Sequence, residues 1–166
     1  MQPEPAPHIL DWSNMPDPFR QYEGVPVLDL PADPPIPEVP ALDVLLGLQG
    51  AIRANDGPAF LSQLLFYSAA VSASKRVPSS GYRYALRVNP SSGNLHPTEY
   101  HFLTRGLKDW PDGLYHYRPS AHVAEQRARG RLDMKLDGNT ALIVFVLTRL
   151  RGARRGNTVT VHIHTA

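Results

Sequence analysis

Between Arg87 and Tyr100 the chain reads Arg-Val-Asn-Pro-Ser-Ser-Gly-Asn-Leu-His-Pro-Thr-Glu-Tyr, a dense set of residues able to bind or react. Ser91, Ser92, Gly93 and Asn94 lie between Pro90 and Pro97 and accept turn geometry at little cost. A turn of that kind leaves backbone N–H groups unpaired and free to face a ligand. Arg87, just upstream, supplies a fixed positive charge and planar donors suited to phosphate or to a carbonyl edge. The chemistry this points to is the binding of an anion or a polar ring, with an ordinary Ser/Gly/Asn loop as the alternative. His96 and Glu99 could act as an acid–base pair. Their spacing serves structure equally well, with His96 in the turn and Glu99 entering a strand.

The flanking elements must hold that turn. Upstream, Tyr82-Arg-Tyr-Ala-Leu-Arg-Val88 has the alternation and aromatic content of a strand. Further strands are expected near 99–105, 113–118 and 141–148. Leu42, Leu45, Leu46, Leu48, Gln49 and Ile52 fit a helix that starts near Pro40 and ends at Asn55-Asp-Gly57. A second helix follows Pro58, carries Phe60, Leu61, Leu64, Leu65 and Tyr67 on a wide apolar face, and fades over Ser72-Ala-Ser-Lys-Arg76. Pro78-Ser-Ser-Gly81 is a loop, and 122–138 is ambiguous. Residues 1–40 hold eleven of the 17 prolines and read as an extended arm, since Pro34-Pro35-Ile-Pro37 forbids continuous helix. His8-Ile-Leu-Asp-Trp12 and Pro18-Phe-Arg-Gln-Tyr22 give the arm apolar anchors that could drape over a surface.

Composition narrows the function classes. With no cysteine there is neither a disulfide framework nor a thiolate metal site. No apolar run approaches about 18 residues, so a membrane partner is not expected, and a cytoplasmic protein is. The net charge of +2 conceals a basic end: Arg149, Arg151, Arg154 and Arg155 carry +4, leaving 2 − 4 = −2 for the rest. A high pI resting on so short a tail argues against a nucleic-acid partner. His162 and His164 could point the same way from a β-like run, but no third ligand stands near, so no metal site is expected. Ser72, Ser74, Lys75 and Arg76 could meet a phosphate, with a solvated basic turn as the simpler account.

The motif from Arg87 to Tyr100 resembles the nitroreductase-like flavoproteins, in the branch of SagB/ThcOx-type dehydrogenases that mature thiazole and oxazole peptides. That branch reads roughly R-x-x-P-S-[SAG]-G-[NA]-L-[HY]-P-x-E-x-Y, and the chain agrees at Arg87, Pro90, Ser91, Ser92, Gly93, Asn94, Leu95, His96, Pro97, Glu99 and Tyr100. Gly113-Leu-Tyr-His-Tyr117, followed by Pro119 and His122, looks like the family's G-x-Y-x-Y strand. Ala141-Leu-Ile-Val-Phe-Val-Leu-Thr148 looks like its next buried strand. The resemblance implies an α+β fold: two helices and then a mixed or antiparallel sheet, spanning 41–148 as the N-terminal part of a nitroreductase-like domain. It implies FMN as cofactor, bound by Arg87, Pro90, Ser91, Ser92, Gly93 and Asn94, with hydride transfer through flavin N5. It further implies a homodimer, and either a peptide azoline to oxidise or a nitro or quinone compound to reduce with NAD(P)H. One departure stands out. The family's R-x-S-x-R pattern on an early helix is missing, since Leu64-Leu-Phe-Tyr-Ser68 has no arginine.

The resemblance stops at Thr148. Read from the third base of that codon, synonymous codons through Ala166 can spell S-I-A-W-R-E-A-W-K-Y-G-D-R-A-Y-P-Y-C, which is similar to the family's next segment. The expectation is a frameshifted tail over 149–166, tested by whether TGG spans the Arg155–Gly156 codon junction. The family's Lys-Tyr pair would lie in that other frame, so no catalytic acid or base is assigned. The alternative to an oxidoreductase is a non-catalytic fragment or binding module that uses the proline-rich arm.

Overall fold

In the computed structural model the described residues are 17–47, 57–91, 94, 96–130 and 142–149, the last as backbone only. Nine elements follow in chain order: β1 Val27–Asp29, α1 Ala41–Leu45, α2 Gly57–Ala69, β2 Val71–Arg76, β3 Arg83–Arg87, β4 Thr98–Arg105, β5 Gly113–Arg118, β6 Val123–Arg129 and β7 Leu142–Arg149. Five strands form one sheet in the order β1-β6-β5-β4-β7, and β2 and β3 form a separate hairpin. Every described strand pairing is antiparallel.

Alternation along the strands gives the large sheet two unlike faces, because successive side chains point to opposite sides. One face carries Phe102, Tyr115, Tyr117 and Ala124, packed against Leu61, Leu65 and Ala69 of α2 with Leu30, Leu107 and Trp110 at the margin. Those three α2 residues recur every four positions, so they line one stripe of the helix. Phe102 and Tyr115 stack with ring centroids 5.3 Å apart, and Trp110 meets Tyr115 edge-on at 5.4 Å. Each large apolar side chain so buried contributes about 1.5–3 kcal/mol. The polar tips are met as well: Tyr115 donates its hydroxyl to the Pro111 carbonyl at 2.8 Å, and Thr104 does the same at 2.9 Å.

The other face carries Glu99, His116 and Glu125, all buried, with His101, Arg118 and Arg127. The register sets His116 beside His101 on β4 and beside Glu125 on β6, so these side chains share a side of the sheet. The Tyr22 ring lies over them, its centroid 5.1 Å from that of His116 and 6.4 Å from that of His101.

Gly57 fixes where α2 can begin. Its φ is +54°, and a Cβ there would stand 2.2 Å from the Lys108 carbonyl oxygen. Pro58 follows in the first turn, where its missing N–H costs nothing.

The expected strands at 82–88, 99–105, 113–118 and 141–148 match β3, β4, β5 and β7, and the second expected helix matches α2. Three expectations are corrected. The first helix is only Ala41–Leu45, because Leu46 closes it and Gly47 turns left-handed at φ +69°; its continuation over 48–56 lies outside the described residues. The stretch 72–76 is not a fading helix end but the body of β2, paired with β3 from Val71 to Arg76. The ambiguous stretch contains β6, while 131–138 lies outside the described residues. Within the proline-rich arm, Val27–Asp29 adds an edge strand to β6 that the proline spacing did not suggest. The anchor at 8–12 and the tail beyond Arg149 are also outside the described residues.

Candidate functional site

The turn after β3 is braced from within. The Asn94 backbone N–H donates to the Ser91 carbonyl at 3.3 Å, and its side-chain amide donates to the Ala85 carbonyl at 3.0 Å. The His96 N–H donates to Ser91 Oγ at 2.7 Å, while His96 Nε2 and Asn94 Oδ1 stand 2.8 Å apart. Asn94 and His96 both adopt positive φ, 57° and 42°, a conformation that asparagine accepts more readily than most residues. Ser91, Asn94 and His96 therefore act as one folded unit that sets the path of the turn. Ser92, Gly93 and Leu95 lie outside the described residues. Pro90 is exposed and Ser91 half-buried.

Arg87 ends β3 beneath this turn with only 6% of its surface exposed. One terminal nitrogen donates to the Pro18 carbonyl, and the Phe19 ring lies over the guanidinium with its centroid 5.0 Å from Cζ. Its Nε and other terminal nitrogen are buried without a partner among the described residues, and so is His96 Nδ1. Burial lowers the pKa of Arg87, opposed by the nearby Glu99 charge, and burial together with the Arg87 charge lowers that of His96. Buried donors left unpaired cost free energy until an acceptor arrives. The cationic fork of Arg87 suits a ligand edge that presents oxygen or nitrogen acceptors, whereas His96, whose Nε2–H donates to Asn94 Oδ1, leaves Nδ1 as an acceptor for a ligand donor.

Beyond Glu99 a line of polar contacts crosses the sheet. His116 Nε2 is 2.9 Å from Glu99 Oε2, and its Nδ1 is 2.9 Å from Glu125 Oε2. Each contact needs a proton between nitrogen and oxygen, so the trio holds two. Arg118 approaches the second Glu125 oxygen at 3.2 Å. Tyr22 closes the line from above, its N–H donating to Glu125 Oε2 at 3.2 Å and its ring centroid 5.1 Å from that of His116. The expected acid–base pairing of His96 with Glu99 is thus replaced: His96 belongs to the turn, and Glu99 joins His116. His116 lies on a strand face as expected, but its two carboxylate partners were not foreseen.

A serine–histidine pair also occurs, and its proton count assigns it a structural role. Ser62 Oγ donates to the Pro31 carbonyl at 2.5 Å, which uses its only proton. His122 Nε2, 2.8 Å from that oxygen, must then be the donor, and His122 Nδ1 accepts from the Tyr117 hydroxyl at 2.8 Å. Burial lowers the pKa of His122, in keeping with this neutral form. Ser62 has no base to activate it.

The remaining sequence candidates are apart from this region or undescribed. Ser72, Ser74, Lys75 and Arg76 lie exposed on the separate hairpin, just past the C-terminal end of α2. His162 and His164 are outside the described residues. Among the described residues no group of three or more His, Asp or Glu side chains is placed to hold a metal ion, and no helix is long and apolar enough to cross a membrane. Sequence reasoning did not anticipate the roles of Tyr22, His101, Glu125 and Arg127. The Pro-Phe-x-x-Tyr anchor at 18–22 was the available signal, since isolated aromatics in a proline-rich stretch need somewhere to pack.

No protein-family model matches the chain, and no curated protein matches it. Among solved structures, one from Anabaena variabilis, provisionally assigned as a nitroreductase, superposes with a TM-score of 0.52 at 27% sequence identity. The match covers 74% of this chain but only 22% of that protein, so the chain spans roughly a fifth of its length. This chain has a nitroreductase-like fold.

Proposed function

We propose that this chain contributes the flavin-holding part of an FMN-dependent oxidoreductase of the SagB-type dehydrogenase branch. The single observation that carries the reading is Arg87, buried under the turn with two guanidinium nitrogens that have no partner among the described residues. The motif around it supplies the second support, and the likeness to a nitroreductase fold the third. A flavin presents what these donors lack, a polar ring edge with carbonyl and ring-nitrogen acceptors and a phosphate.

Bound FMN would supply the hydride chemistry, accepting or delivering a hydride at N5. The residues that would hold it are Arg87, Pro90, Ser91, Ser92, Gly93 and Asn94. Arg87 would place positive charge against an acceptor edge and stabilise negative charge there. Ser91 uses its oxygen as an acceptor from the His96 N–H and keeps its proton free to donate outward. Asn94 is committed at both side-chain atoms and so shapes the cradle through the backbone. His96 Nδ1 offers a further polar contact on the inner side. Substrates of this reading are a peptide azoline or a nitro or quinone compound with NAD(P)H as donor, in a homodimer.

Purified protein should be yellow, or become so on incubation with FMN followed by gel filtration. Protein that remains colourless after equilibration with millimolar FMN speaks for the non-catalytic binding module instead.

A further inference from the structure

Residues 17–22 form a second feature of the same region, and the inference drawn from them rests on the flavin reading above. Asp17 accepts the Phe19 N–H at 2.7 Å and so sets a tight local turn. That turn delivers the Pro18 carbonyl to Arg87 and the Phe19 ring to the guanidinium face. Downstream, Gln21 accepts from Arg118 at 3.4 Å. Tyr22 is held between Arg127, 3.5 Å from its ring centroid, and Arg20 at 4.9 Å, and its N–H reaches Glu125. After Tyr22 the chain turns at Gly24, where φ is +70° and nothing stands within 4 Å of a would-be Cβ. The segment is therefore fastened at two points and followed by an open, unconstrained turn.

We infer that residues 17–22 are an autoinhibitory strap: they occupy the Arg87 guanidinium in the resting protein and must lift from it when a flavin enters. The two attachments differ in quality. At the Tyr22 end the buried carboxylate gains a backbone donor and the ring gains two cations. At the Phe19 end the closed strap satisfies one Arg87 nitrogen, while two others are buried with no partner among the described residues. Closure at that end is therefore poorly satisfied, and any ligand offering several acceptors outcompetes a single carbonyl. The Phe19 end opens, while Tyr22 remains as the tether. A ligand that must displace the strap binds more weakly than it would to an open site, by the fraction of time the site is open.

Three proteins test this: the wild type, Phe19→Ala, which removes the ring from the guanidinium, and Phe19→Leu, which keeps apolar bulk there. FMN affinity is read from quenching of flavin fluorescence, and strap position from the rate of tryptic cleavage after Arg20, mapped by mass spectrometry. The strap predicts that Phe19→Ala binds FMN several-fold more tightly, with Phe19→Leu between it and the wild type. It also predicts that saturating FMN speeds cleavage after Arg20 in the wild type but changes it little in Phe19→Ala. If FMN binds all three proteins equally, or binds Phe19→Ala less well, and Arg20 cleavage ignores FMN, the strap is wrong and the flavin reading stands. If none of the three binds FMN, the flavin reading fails and takes the strap's role with it.

Discussion

The two faces of the five-stranded sheet solve the problem of burial in opposite ways. On the α2 face, Phe102, Tyr115, Tyr117 and Ala124 meet Leu61, Leu65 and Ala69, and their stabilisation follows from apolar area removed from water. On the strap face, Glu99, His116 and Glu125 are equally hidden but are held by matched donors and acceptors at 2.9 Å. Apolar packing loses stability in proportion to what is deleted. A buried polar line loses stability for a different reason when one partner goes, because the remaining charge has nowhere to turn. The strap face therefore has the stricter geometry, although the α2 face has more of the core. Glu99 of this face lies near Arg87, as do Tyr100 and Tyr117 of the other, so the candidate site stands at the margin of both.

That contrast can be broken from either side. The largest effect is expected for Glu125→Ala, which strips His116, Arg118 and the Tyr22 N–H of an acceptor at once. Removing one member of a buried ion pair costs about 3–5 kcal/mol. Chemical denaturation should show that loss, and Glu125→Gln should recover part of it. On the α2 face, Leu65→Ala should cost about 2–5 kcal/mol, less if the helix settles inward and fills the cavity. Comparable losses from conservative changes on the two faces would remove the distinction drawn between them.

Acid should act most strongly on the strap face. Burial, with the charges of His116, Arg20 and Arg127 around it, holds the pKa of His101 down at about 4. Because the folded-state pKa is lowered, the unfolded chain binds the proton more readily, and stability falls as pH drops from about 6.5 towards 4. This group is fully favourable to folding above that window and contributes at most about 3 kcal/mol to the change. His96 and His122 shift in the same direction. An unfolding free energy that stays flat between pH 7 and 4.5 would contradict this arrangement. The smallest effect is expected away from both faces. Leu45 on α1 is 81% exposed, so Leu45→Ser should change the unfolding free energy by no more than about 0.5 kcal/mol.

The same contrast explains what was legible in the chain. The strands β3, β4, β5 and β7 are rich in aromatic and branched residues, and α2 has its apolar stripe at helical spacing, so local pattern was enough. β2 was missed because Val-Ser-Ala-Ser-Lys-Arg carries little strand preference and is held by its pairing with β3. β6 was obscured because Glu125 and Gln126 are buried within it, which alternation alone does not foresee. α1 stopped short because a left-handed Gly47 ends it while the apolar pattern runs on.

The candidate site was legible where it is local. Pro90, Ser91, Asn94 and Arg87 fall within one turn and the strand before it, and the motif marks them together. The long-range partners were not readable. Pro18 lies 69 positions from Arg87, and Tyr22 lies 103 from Glu125. No spacing rule joins residues that far apart; only the folded sheet does.

The account turns on Arg87 as a donor held ready for a flavin, and FMN titration of the wild type beside Arg87→Ala tests that most directly. Saturable binding to the wild type is predicted, weakened about tenfold or more in a variant that still unfolds cooperatively, equivalent to about 1.4 kcal/mol lost. Equal FMN affinity in the two folded proteins would contradict it.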